Sequence, residues 1–151
     1  MNGTYALLLW GILVAAPMLP AGTTAEVLKE VDRLVEGKKY LSAFALLNRQ
    51  ENGDADPEIA LKKGELALKY FVNSINHRIF SFRDLSETED ILKVRGAVGS
   101  STTQTFDFQQ VFAALIKNHP QDGRLPLALA DYYLDVYEKY RGRWEKSDKD
   151  I

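Results

Sequence analysis

Residues 23–50 read TTAEVLKEVDRLVEGKKYLSAFALLNRQ, and the spacing of apolar side chains in this stretch decides the fold expected for the chain. Val27, Leu28, Val31, Leu34 and Val35 recur at three- and four-residue intervals, which gathers them on one face of a helix. Thr23 with Glu26 three positions on forms a capping box at its start, and Gly37 supplies the stop. A second helix is expected from Tyr40 to about Gln50, with Tyr40, Ala43, Phe44 and Leu47 as its stripe. Asn52-Gly53 ends it.

The same periodicity continues outward from this pair. Asp56 caps a third helix with Pro57 in its first turn, where the missing N–H costs nothing. One line along it is mostly small (Ala60, Gly64, Ala67, Phe71), and a second is bulky (Leu61, Leu68, Val72, Ile75, Ile79). Small residues in register let another helix approach closely. This helix is expected to end between Asn76 and Phe82. Ser86 and Glu89 form the capping box of a short helix stopped by Gly96, and residues 99–105, beginning Gly-Ser-Ser-Thr-Thr, read as a flexible loop. Asp107 caps the next helix with Gln110 reaching back. Phe106 and Val111 sit at staple positions, and Phe108, Val111, Phe112, Leu115 and Ile116 fill one face. Asn118-His119-Pro120 stops it. A last helix runs from Pro126 to about Arg141, with Leu127, Ala130, Tyr133, Leu134 and Tyr137 inward and Gly142 as its end. No stretch sustains period-two alternation, so the expected class is all-α, with about six helices.

The first 25 residues carry no charge at all. Tyr5 to Leu19 reads YALLLWGILVAAPML, and its uninterrupted apolar part, Ala6 to Ala16, is about eleven residues where a bilayer span needs ~20. Pro17 and Pro20 follow, then small residues from Ala21 to Ala25. Short apolar core, breaker and small-residue site are the order of a secretory signal peptide, with Ala25 as the preferred cleavage point and Gly22 as the second. No Lys or Arg precedes the apolar run, so an uncleaved anchor over residues 5–19 is the alternative, and a buried N-terminal helix the third. The domain organisation expected is a signal over 1–25 and one helical domain over 26–151.

A chain of 151 residues suggests one domain. A net charge of −2 offers no basic footprint for nucleic acid and no polybasic membrane patch. With no cysteine there is no disulfide framework, thiolate zinc site or cysteine nucleophile. His77 and His119 lie far apart and outside any ligand pair, and each reads as a surface or capping histidine. The acidic residues Asp84, Glu87, Glu89 and Asp90 fall where a helix starts, which its dipole favours, and no central glycine makes them a calcium loop. GxSxG, phosphate-loop and Rossmann patterns are missing. The expectation is a non-catalytic protein without cofactor or metal.

Paired amphipathic helices invite a test for repeats. The segment Gly37-Lys38-Lys39-Tyr40-Leu41-Ser42-Ala43, the set Leu61, Gly64, Ala67 and Leu68, the set Phe112, Leu115 and Pro120, and the runs Leu129–Tyr133 and Gly142–Glu145 together resemble a tetratricopeptide-repeat protein. That family stacks helix–turn–helix units of about 34 residues. The resemblance covers about half the chain, and no motif residue falls between Tyr70 and Phe106. It implies a solenoid of antiparallel helix pairs, with a generic helical bundle as the alternative. Carried over by position, it implies a groove faced by Glu65 and Lys69 from one unit and by Asp131 and Asp135 from the last. Tyr133 and Tyr137 would make its floor tyrosine-rich, suited to a basic or amphipathic peptide. After Trp144 a second helix is expected but the sequence stops at Ile151, and the readings are a truncated sequence, a partner over the last apolar face, or a frayed tail.

The function expected is therefore an exported adaptor, of bacterial type, that binds a protein or peptide segment. The alternative is a structural subunit that stacks on copies of itself through its C-terminal helix pair, and a small-ligand binder or enzyme ranks third. On the preferred cleavage point, the intact mass of the product recovered outside the cytoplasm begins at Glu26; a full-length mass in the membrane fraction would mean an anchor instead.

Overall fold

The computed structural model describes residues 23–96 and 99–147, the last eight as backbone alone. Residues 1–22 of the expected signal peptide over 1–25, and residues 148–151, lie outside the described residues. Among the described residues the elements are α1 (Thr24–Glu36), α2 (Tyr40–Asn48), a 3-10 turn (Gly53–Ala55), α3 (Pro57–Lys69), β1 (Asn73–Ile75), β2 (Ile79–Phe82), α4 (Ile91–Val94), β3 (Thr102–Thr105), α5 (Phe108–Asn118) and α6 (Arg124–Ser147). The strands make one antiparallel sheet in the order β1-β2-β3. This sheet overturns the all-α expectation, in its solenoid form and in its helical-bundle form alike.

The N-terminal helices form as their sequence requires. The Thr23 hydroxyl accepts the Glu26 N–H at 3.3 Å, and the Glu26 carboxylate accepts the Thr23 N–H at 2.8 Å. Gly37 closes α1, and α2 folds back against it, burying Val31, Ala43, Phe44 and Leu47. The start of α2 lacks a cap of its own. Asp84, just beyond the end of β2, supplies one: its carboxylate accepts the Ser42 N–H at 3.1 Å and the Ser42 hydroxyl at 2.6 Å. Leu85 N–H donates to Lys38 O, and the Lys38 ammonium donates to the carbonyls of Glu87 and Glu89, both at 2.7 Å. The turn between the two helices is thus laced to the segment after β2.

The third helix is shorter than expected. Asp56 caps it through Glu58 N–H, and Ala60, Gly64 and Ala67 are buried as the small line implied, but it ends at Lys69. Residues 73–82 form a hairpin instead. Phe80 and Phe82, two apart, are both buried while the alternating Ile79 and Ser81 are half-exposed, so the core selects period two here. Asn76 and His77 make the turn at φ +52° and +51°, left-handed values that Asn and His adopt more readily than most residues. Ile75, which a continuing helix would have placed on its bulky line, is 55 % exposed. The threonine-rich second half of the expected loop is β3, pairing Thr102–Thr105 with Phe82–Ile79. Four β-branched or polar residues on a half-solvated edge suit a strand well. Ser86 and Glu89 do bond each other, yet the short helix α4 begins later, capped by Asp90.

Aromatic rings join these layers into one core. Phe44 of α2 stacks on Phe82 of β2 at 4.5 Å and meets Phe106 edge-on at 6.3 Å. Phe106 meets Phe108, which stacks on Phe112 at 4.4 Å and on Tyr132 of α6 at 4.6 Å. That last contact corrects the expected facing of α6. Leu125 and Tyr132 are buried, with Ala128, Leu129 and Val136 packed beside them, whereas Leu127, Tyr133, Leu134 and Tyr137 point outward. The helix also passes through Gly142 to Ser147, so no turn into a further helix occurs at Gly142.

A Cβ on Gly64 would lie 3.0 Å from the Phe108 ring. Gly64→Ala gains about 1 kcal/mol of helix propensity but overpacks the centre by about 1–3 kcal/mol. The expected result in urea unfolding is net destabilisation. Gly123→Ala, with nothing within 4 Å of the added carbon, serves as the near-neutral comparison.

Candidate functional site

The six residues expected to line a groove fall into two groups. Glu65 and Lys69 stand on α3 in a chain of ion pairs that runs across to α1. Lys62 lies 2.7 Å from Asp32 and 2.8 Å from Glu65, and Lys69 lies 3.4 Å from Glu65. Burial pulls the Glu65 carboxyl upward, but the Lys62 hydrogen bond and the charges of Lys62 and Lys69 outweigh it and hold it below its ordinary value. A cleft of about 270 Å³ lies over this network, lined by Leu28, Asp32, Glu58, Leu61, Lys62, Glu65 and Arg124. Its cations are already committed: Lys62 as above, and Arg124 to Glu58 at 2.6 Å and Asp122 at 2.7 Å. The network therefore ties α1, α3 and the start of α6 together.

Asp131, Tyr133, Asp135 and Tyr137 lie on α6. Tyr133 and Tyr137 are 49 % and 55 % exposed, and Leu127 and Leu134 beside them 62 % and 57 %. Of the six large apolar side chains that are exposed among the described residues, these four share one helix, which makes a patch rather than scattered exposure. The sequence spacing sets the pattern: Leu127, Ala130, Leu134 and Tyr137 follow at steps of three and four along one line. Asp131, Asp135 and Glu138 follow along the neighbouring line, with Asp131 and Glu138 exposed. The Tyr133 hydroxyl accepts a hydrogen bond from Gln109 of α5 at 3.2 Å, which fixes that ring beside the row. The surface is an outward ridge with an acidic margin.

Beneath α6 lies a residue that sequence reasoning misplaced. His77, at the tip of the β1–β2 hairpin, is 3 % exposed rather than on the surface. Its ring stands edge-on to Tyr132 at 6.3 Å, and its Nδ1 is 3.9 Å from the Asp135 carboxylate. Lys139 fastens the same hairpin, donating to the Ser74 hydroxyl at 2.9 Å and lying over the Phe71 ring. Arg95 covers that ring at 4.3 Å. The available signal was Asn-His between two short β-branched and aromatic runs, a turn whose tip is aimed inward. Burial pushes the His77 pKa down from 6.5, Lys139 adds to this, and Asp135 opposes it.

Among the described residues no group of three or more His, Asp or Glu side chains is arranged to hold a metal ion. No helix of the described residues is long and apolar enough to cross a membrane. Comparison with models of known protein families, with curated proteins and with solved structures finds no match.

The lowered His77 pKa predicts a direction for stability. The unfolded chain takes up a proton near the ordinary value of 6.5 while the folded one resists it, so the unfolded state binds more protons below that pH. The contribution is whole above the ordinary value and is lost as pH falls through the lowered one. The thermal midpoint should therefore drop between about pH 7 and pH 5. His77→Asn, which tolerates the left-handed backbone, should flatten that drop. An unchanged slope in the variant would remove His77 as its source.

Proposed function

We propose that this chain is a non-catalytic protein-interaction module that holds a segment of another protein against the outward face of α6. One observation carries the reading: the row Leu127, Leu134 and Tyr137, more than half exposed on a helix whose opposite face is already packed in the core. Covering what remains exposed of each such side chain contributes about 1–2 kcal/mol, and tyrosine brings contact area at low entropic cost. The binding surface in this reading is a ridge, and Glu65 and Lys69 belong to the scaffold behind it. The tetratricopeptide resemblance is then confined to the α1–α2 hairpin around Gly37 and to the close approach at Gly64.

Export fits the N-terminal pattern, and the capping box bears on where processing falls. Thr23 caps α1, and the Thr24 hydroxyl donates to Asp56 at 3.0 Å, so cleavage after Ala25 would strip the first turn of α1. Losing such a cap costs about 0.5–2 kcal/mol. Cleavage at or before Gly22 leaves the domain whole, and the intact mass of an exported product should then include Thr23.

The interaction reading is tested by placing a photo-crosslinking residue at Leu134 in the producing cell, with exposed Lys29 of α1 as the comparison position. A discrete adduct to another protein from position 134, not seen from position 29, is the expected result. Adducts from position 29 alone would move the surface away from α6 and sink the reading.

A further inference from the structure

We infer that the occupant of the α6 ridge is an amphipathic helix of a partner protein with lysine or arginine along one flank. This rests on the interaction reading above and adds the chemistry of the partner. The apolar row repeats at alternating steps of three and four, the spacing at which one helix meets another along a seam. Its margin is acidic on α6: Asp131 and Glu138 are exposed, and among the described residues neither stands in an ion pair. Of the α6 cations whose side chains are described, Arg124 is paired with Glu58 and Asp122, and Lys139 is held on Ser74 and Phe71.

This charge pattern selects among occupants. A second copy laid antiparallel on the seam about Leu134 brings Asp131 beside the other copy's Glu138. Like charges opposed across an interface suppress wrong partners. An anionic lipid surface is repelled for the same reason. A helix with basic residues beside its apolar row pairs with Asp131 and Glu138 while its apolar side chains cover Leu127 and Leu134.

The test uses the full chain and two fluorescein-labelled peptides of about 18 residues, roughly five helical turns. Both carry leucines at the alternating spacing; one has lysine at the flanking positions and the other glutamate. Fluorescence anisotropy should show the lysine peptide binding at least about tenfold more tightly, with a preference that narrows as salt is raised. The pair Asp131→Lys and Glu138→Lys should invert the preference, and Leu134→Asp should abolish binding of both peptides, with circular dichroism unchanged throughout. Equal binding of both peptides, lost in Leu134→Asp, would overturn the charge selection and leave the ridge as a binding face. Binding of the lysine peptide that survives Leu134→Asp would be diffuse attraction and would overturn the inference. Dimerisation by light scattering, abolished by Leu134→Asp, would make a second copy the occupant. No binding of either peptide, together with no position-134 adduct, would remove the interaction reading as well.

Discussion

The structure depends on one close approach, that of the Phe108 ring to the bare backbone of α3 at Gly64. Because no side chain intervenes, α5 can settle against α3, and the ring is left with both faces available for Phe112 and Tyr132. Tyr132 in turn decides which side of α6 is inward. From Phe106 the same line of rings reaches Phe44 and Phe82, so the helix hairpin, the sheet and the last helix share a single aromatic spine. Offset stacks and edge-on contacts of this kind contribute about 0.5–1.5 kcal/mol each beyond the area they bury. Their larger effect is orientation: rotating any one element breaks several ring contacts together.

The parts of the fold that were legible are those whose signals are local. Thr23 with Glu26, Asp56 with Pro57, and Asp107 ahead of Phe108 mark helix starts by chemistry that acts within one turn, and all three caps are present. The sheet was not legible because each strand is only three or four residues long. Phe80 and Phe82 alternate correctly, but over so short a run Val72, Ile75 and Ile79 mimic a continuing helical line. In β3, Thr102, Thr103 and Thr105 resemble a polar linker, and only their pairing with β2 makes them a strand. Asp84 was equally silent, since a carboxylate that caps a helix from a distant segment leaves no mark at that helix.

Of the residues expected to line a groove, the identities and the helix were legible, and their facing was not. Tyr133 and Tyr137 stood out as aromatics on the last helix, and they do lie on the exposed surface with Asp131. Periodicity alone could not choose their facing, because α6 carries a second apolar row through Leu125, Ala128, Leu129, Tyr132 and Val136. Both rows are helical in spacing, and the choice falls to Phe108, a residue outside the helix. Glu65 and Lys69 were legible as charges on α3, where Glu65 pairs within the helix with Lys69 and with Lys62, and Lys62 alone reaches across to Asp32 of α1.

The cap that Asp84 provides for α2 has a consequence for the order in which the chain matures. During synthesis α1 and α2 are made first, yet the start of α2 keeps its Ser42 N–H unsatisfied by any side chain until the end of β2 has been made and placed. Phe44 likewise has no ring to stack on before Phe82 arrives. The α1–α2 hairpin therefore gains its Asp84 cap and its Phe44–Phe82 stack only after β2 has been made. Such a chain spends a definite interval with apolar helix faces uncovered, and anything that receives it in that interval meets an unfinished hairpin instead of a finished domain.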